Sequence, residues 1–288
     1  ALPAHLHTSA RLRYDMADVL TRIQPGRPGP SADVRGGIAR KLGDRGYGVF
    51  MLNHRGSGPG MGLCDRLFNG GSSDDLAAVI DHITGLYPER ALVVIGFSLS
   101  GNILLKYLGE GRPLPPQLLA ALAVNPPVDL KTASRKITQG PFAGVFNRYY
   151  LDLMYRQVDA MRECFPDTFA PQDRARTIWE FDAAYTAPAA GYASVEDYYE
   201  QCSANQFLHG IEVPTTVLCS EDDPFIPPEV FDGIERAPQV RFVNPKHGGH
   251  MGYLSRTLTP HGDRRWMDHV CVEWVRAQSP EPAVTRRP

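Results

Sequence analysis

The stretch A91-L-V-V-I-G-F-S-L-S-G-N-I-L-L-K-Y-L-G-E110 decides how the rest of the chain is read. ALVVIG at 91–96 is a short apolar run rich in β-branched residues, the pattern of a strand buried on both faces. Asn102 to Leu108 carries apolar residues at helical spacing. Only Phe97 to Gly101 separate the two, so Ser98 stands on a strand-to-helix turn that can lift its hydroxyl clear of the sheet. Such a turn brings strand and helix backbones together and needs small neighbours. Gly96 meets that need, Ser100 meets it approximately and Gly101 adds room. The amide of Leu99, at the start of the helix, faces where a developing oxyanion would lie. Taken alone, the turn can equally be a small-residue connection with a capping serine.

Working outward, strand and helix patterns alternate, which predicts a mostly parallel sheet with helices on its faces. A helix is expected from Val34 to Arg45, ended by Gly46. YGVFMLN at 47–53 reads as a strand, followed by the glycine-rich loop HRGSGPG at 54–60. Ser72, Ser73, Asp74 and Asp75 mark the start of a helix through Leu76, Val79, Ile80 and Ile83. Leu119 to Val124 is the strand after the elbow and ends in Asn125-Pro126-Pro127. Residues 131–208 hold no strand pattern but many aromatics, among them Tyr150, Trp179, Tyr198 and Tyr199, and read as a helical insertion. Strands resume at TTVLC (215–219) and VRFVN (240–244), and Trp266 to Arg276 closes as an amphipathic helix. The Pro- and Arg-rich tail 279–288 is expected to be disordered.

A serine hydroxyl becomes a useful nucleophile when an imidazole takes its proton and a carboxylate orients that imidazole. After TTVLC comes Ser220-Glu221-Asp222-Asp223-Pro224, and the spacing from Asp223 to Pro227 favours Asp223 over its neighbour Asp222. An Asp beside Pro is also a common turn residue. After VRFVN comes Pro245-Lys246-His247-Gly248-Gly249-His250, a loop able to carry an imidazole over the serine. His250 is the candidate base, with His247 the alternative. The order Ser, Asp, His, each following a successive strand, fits acyl-transfer chemistry.

Composition narrows the partners. A formal charge of -2 provides no basic footprint for nucleic acid. No apolar run is long enough to span a bilayer, and residues 1–9 lack the features of a secretory signal. Five scattered cysteines, an odd number, favour a reducing, cytoplasmic setting. Two histidines separated by two glycines lack an evident third metal ligand, so no metal is expected there.

The motifs NHRGSG (53–58), SSDDL (72–76), GFSLSGNILLKYLGE (96–110), AVNPPVDL (123–130), TAPAAGY (186–192), EDYYEQCSA (196–204), EDDPFIP (221–227) and HGGHMGY (247–253) together resemble the α/β-hydrolases similar to bacterial YheT and plant EMB8, related to mammalian ABHD1 and ABHD3. The resemblance runs from about Val34 to Trp274. It implies a cofactor-independent hydrolase of short- or medium-chain acyl esters or lipids, with Ser98, Asp223 and His250 as its triad. It also implies an α/β-hydrolase core in two parts, 1–130 and 209–278, with 131–208 as a cap whose aromatics line an acyl pocket or simply pack against the core. One departure stands out. The family's buried strand ending in His-Gly, whose loop supplies the second oxyanion donor, aligns on VLTRIQPGRPGPSAD, with Gln24-Pro25 in place of His-Gly. Proline has no N–H to give. Either Gly26 or Arg27 donates instead, or the N-terminal segment is out of frame and the chain is an impaired module that binds an apolar ligand.

Overall fold

The computed structural model describes residues 20–23, 34–140 and 143–278. Four strands, β3 (Leu92–Phe97), β4 (Leu118–Val124), β5 (Thr215–Leu218) and β6 (Val240–Val243), form a parallel sheet in that order. Two others, β1 (Leu20–Ile23) and β2 (Val49–Leu52), pair antiparallel as a separate ribbon, with Leu20 opposite Leu52. No ladder joins β2 to β3 among the described residues.

The helices follow the apolar spacing. They are α1 (Val34–Gly43), α2 (Ser73–Leu86), α3 (Leu99–Gly109) directly after the elbow, and α9 (Trp266–Gln278) at the end of the described chain. α3 is the central helix: Ile103, Leu104, Leu105 and Tyr107 are almost entirely buried against β4 and the β5 side of the core. α1 and α9 cover the other face through Ile38, Leu42, Met267, Cys271 and Val272. Burying Ile38 and Leu42 is worth roughly 1.5–3 kcal/mol each, and Lys41 of α1 adds ion pairs to Asp263 and Asp268 at 2.6 and 2.9 Å. It stops at Gly43, two residues short of the expected end, and Gly46 takes the left-handed φ of 85° that turns the chain into β2.

Between β4 and β5 the chain is helical: α4 (Leu130–Gln139), α5 (Ala143–Cys164), α6 (Ile178–Phe181), α7 (Ala187–Ala190) and α8 (Val195–Cys202). A π-helical turn, Asp182–Thr186, links α6 to α7. Asp129, Thr177 and Ser194 cap α4, α6 and α8 by accepting from the amides three residues on. Asn102 ties this insertion to the elbow helix. Its buried amide donates to the Gly70 and Cys202 carbonyls (3.0 and 2.8 Å) and accepts from the Ala204 N–H (2.9 Å).

The strands nearest the sheet break differ from the rest. β4 and β5 are buried along most of their length, whereas every residue of β2, and all of β3 except Gly96, is only half-buried. The expected middle strand therefore is not part of the parallel sheet: Leu20–Ile23 runs antiparallel on β2 instead. Gln24-Pro25, Gly26, Arg27 and the tail 279–288 lie outside the described residues.

Candidate active site

Ser98 sits between β3 and α3 with φ 48° and ψ −123°, a left-handed conformation that non-glycine residues rarely adopt. Its amide donates to the Val124 carbonyl at 2.8 Å, pinning the elbow to β4. A Cβ on Gly96 would stand 2.5 Å from the Ser100 carbonyl oxygen and 2.9 Å from Gly101 Cα, so glycine is required there. Gly101 in turn passes close to Pro126. Ser100 does more than fit: its hydroxyl bonds to His54 Nε2 at 2.8 Å, and the His54 ring stacks on Phe68 with centroids 4.5 Å apart. The loop after β2 is thereby fastened to the start of α3.

The three residues expected to act together do converge. Ser98 Oγ lies 2.9 Å from His250 Nε2, and His250 Nδ1 lies 2.9 Å from Asp223 Oδ2. The Asp223 side chain is fully buried. A buried carboxylate needs donors to offset its lost hydration. Phe225 and Ile226 supply backbone N–H groups to Oδ1 at 2.8 and 3.1 Å, and Asn125 Nδ2 donates to Oδ2. With Oδ2 accepting from Nδ1–H, the Nε2 lone pair is left facing the serine hydroxyl.

The two alternatives fall elsewhere. Asp222 is exposed and accepts from the Gly248 and Gly249 amides (2.8 and 2.7 Å) and from His247 Nδ1 (3.3 Å). Desolvation works against its ionisation, but those amides, with Ser220 and His247, more than offset it and hold the carboxyl below its usual range. Asp222 therefore anchors the loop that carries His250, while His247 points to solvent with 88% of its side chain exposed.

Asn125 is the site residue that the sequence reading passed over. It is completely buried, with φ 46°, donates also to the Gly249 carbonyl at 3.3 Å, and accepts from the Tyr253 hydroxyl at 2.7 Å. Its position just after β4, in front of two prolines, was the available signal: asparagine tolerates left-handed backbone better than other non-glycine residues.

A cavity of about 150 Å³ opens on Ser98 and His250. Leu99, Leu130, Ile137, Ile178 and Phe225 give it an apolar lining, with Tyr150, Tyr198 and Tyr199 contributed by the insertion. The other aromatics there serve packing: Phe181 and Tyr185 are buried beside Tyr155, and Phe146 packs edge-on against Phe225. As the first residue of α3, Leu99 has an amide that no helical carbonyl can reach.

Residues 23–257 match the family model for the alpha/beta hydrolase fold. The chain belongs to the α/β-hydrolase family. This hydrolase is 31% identical to the putative esterase YheT of Escherichia coli over 245 residues, which covers 83% of the chain and 71% of YheT. It is 29% identical over 250 residues to the monoacylglycerol lipase ABHD2 of Mus musculus, and 30% identical over 236 residues to the phospholipase ABHD3 of Bos taurus. In both cases 81% of the chain is covered, and it spans 59% and 57% of the length of these two relatives.

One group of side chains in this α/β hydrolase has metal-ligand character. His261, His269 and Glu273 bring three ligand atoms within 4.8 Å of one another. Arg45 approaches His261 Nδ1 at 3.1 Å, and a guanidinium can only donate, so the proton of a neutral His261 sits on Nε2, the atom without a partner. Desolvation, then Arg45 and Lys41, lower the basicity of His261. That arrangement suits a structural imidazole better than a cation site. Among the described residues no helix is long and apolar enough to cross a membrane, and all five cysteines are free thiols.

Proposed function

We propose that this α/β hydrolase cleaves carboxylic esters through an acyl-enzyme on Ser98. The observation that carries the reading is the unbroken relay from Ser98 Oγ to His250 to Asp223, with 2.9 Å at each step. His250 Nε2 takes the hydroxyl proton as Oγ attacks the ester carbonyl, and Asp223 steadies the imidazolium. The Leu99 N–H donates to the oxyanion. Collapse of the tetrahedral intermediate breaks the bond to the alcohol, which leaves with the proton from His250. Water, deprotonated by the same imidazole, then releases the acid. No step calls for a cofactor.

The names of the relatives support an ester or lipid substrate, and the helical insertion over Ser98 acts as the cap. A cavity of about 150 Å³ holds a group the size of a benzene ring, so short acyl chains fit it best in the conformation described. The free thiols support a reducing, cytoplasmic setting.

The competing reading, a catalytically impaired module that binds an apolar ligand, draws on the break between β2 and β3, where the strand leading to the second oxyanion donor belongs in the resembling family. Loss of one such donor costs about 100- to 1000-fold in turnover. Rates of p-nitrophenol release from a series of acyl esters separate the two. Hydrolysis that peaks at short chains and disappears in Ser98→Ala supports the esterase. Thermal stabilisation by the esters without release at any chain length supports the module.

A further inference from the structure

One part of the Ser98 cavity wall is polar, and the triad makes no use of it. Asp182 is 6% exposed and opens the π-helical turn between α6 and α7. Its Oδ1 accepts from Thr186 Oγ1 at 2.6 Å and its Oδ2 from the Tyr199 hydroxyl at 2.7 Å. Ser134 of α4, 4% exposed, stands near enough to the Tyr199 hydroxyl to act on it, yet its Oγ meets no described partner at full hydrogen-bond geometry. Asp182, Ser134 and Tyr199 all line the cavity that holds Ser98 and His250.

A pocket meant for alkyl groups alone would not hold these atoms. The carboxyl is paired within the wall, but the Ser134 hydroxyl is costly beside Ile137 and Ile178 unless something pairs with it. The π turn is a second sign, because such turns are seldom kept in a helix except where a side chain must be re-aimed, often at functional sites. We propose that Ser134 Oγ and the Asp182–Tyr199 pair form a subsite for a hydroxyl group on the ester substrate, borne by its acyl chain or by its alcohol. This deepens the esterase reading and rests on it. A hydroxyl suits the pocket better than a cation. Both Asp182 oxygens already accept from the Thr186 and Tyr199 hydroxyls, so what the cavity wall offers a ligand is hydroxyl groups, Ser134 and Tyr199, and not a free carboxylate. Ser134 can both give and accept a hydrogen bond. The alternative is a network that merely ties α8 to the π turn, in which case removing it changes stability without changing substrate choice.

The test compares isosteric pairs. For the acyl chain these are p-nitrophenyl 6-hydroxyhexanoate and p-nitrophenyl heptanoate; for the alcohol, 2-hydroxyethyl hexanoate and propyl hexanoate. In one arm the wild-type protein should favour the hydroxylated ester in kcat/KM by at least about fivefold, the scale of one neutral hydrogen bond. Ser134→Ala, which removes a single oxygen, and Asp182→Asn should each bring that ratio close to one. The arm that responds identifies where the hydroxyl sits. A wild-type preference for the alkyl ester in both arms, or a ratio unmoved by Ser134→Ala, overturns the proposal even if Asp182→Asn fails to fold. Thermal shifts of the Ser98→Ala protein with 1,5-pentanediol and with 1-hexanol read the subsite without catalysis. Greater stabilisation by the diol, lost on adding Ser134→Ala, upholds the subsite even if no ester is cleaved. Equal or weaker stabilisation by the diol overturns it even if esters are cleaved.

Discussion

Replacing Asn125 by alanine removes three contacts at once from the acid end of the relay. The amide no longer donates to Asp223 Oδ2 or to the Gly249 carbonyl, and the Tyr253 hydroxyl loses its acceptor. A hydrogen bond to a charged group is worth about 1.5–3 kcal/mol, and a buried hydroxyl left unpaired costs about 1–3 kcal/mol. The backbone adds its own contribution, because φ at this position is 46° and alanine tolerates the left-handed region poorly, at about 1–2 kcal/mol. Asn125→Ala is therefore expected to lose about 4–7 kcal/mol in urea unfolding. Asn125→Gly separates the two effects: it loses the same hydrogen bonds but not the φ penalty, so it should be more stable than Asn125→Ala by about 1 kcal/mol or more. Where the variants remain folded, labelling of Ser98 should slow in both, since Asp223 is less well held. Equal stability of the two variants would refute the argument from backbone conformation. Wild-type stability in both would refute the role given to the side chain.

Other outcomes follow from the same geometry. Gly96→Ala forces a Cβ to within 2.5 Å of the Ser100 carbonyl oxygen and should cost more than about 3 kcal/mol or abolish folding, measured by thermal unfolding; a wild-type Tm would contradict the elbow packing. Asp222→Ala removes the acceptor shared by the Gly248 and Gly249 amides; hydrogen exchange should quicken at those two amides, while the Asp223 partners Phe225 and Ile226 keep their protection. The Asp182 carboxyl, about 6 when folded against an ordinary 3.8, holds its proton in the folded state through a window where the unfolded chain has already released it. The folded protein therefore binds more protons there, and its stability falls as pH rises through that window. Asparagine does not titrate, so Asp182→Asn should gain on the wild type by about 2 kcal/mol between pH 4 and pH 7. A difference that stays flat with pH in urea titrations would remove the assigned shift.

The fold was legible where period and turn chemistry agree. ALVVIG, TTVLC and VRFVN all emerge as parallel strands to within a residue or two, because the strands of a helix-flanked parallel sheet are short, mostly apolar runs bounded by turns. The elbow helix starts at Leu99 and not at Asn102 because the polar Ser100 and Asn102 hid its first turn from apolar spacing, while their side chains are committed to His54 and to the insertion. The division of labour between Asp222 and Asp223 rests on tertiary contacts, and sequence spacing could only favour one of them. Asn125 left only the mark of its place before two prolines, since its role depends on partners far along the chain, and the π turn at Asp182 left none, because a helix irregularity has no periodic signature. The antiparallel pairing of Leu20–Ile23 on β2 was not foreseen either: a four-residue strand interrupted by Thr21 and Arg22 carries too little apolar pattern to set a direction.

The central claim is that Ser98 is the nucleophile activated by His250, and covalent labelling by a fluorophosphonate tests it most directly. Mass spectrometry of the digested wild-type protein should find a single phosphonate on the peptide bearing Ser98. The adduct should be absent from Ser98→Ala and strongly slowed in His250→Ala, while His247→Ala labels like the wild type. An adduct on another residue, labelling that survives Ser98→Ala, or a folded wild-type protein that takes up no probe would contradict the account.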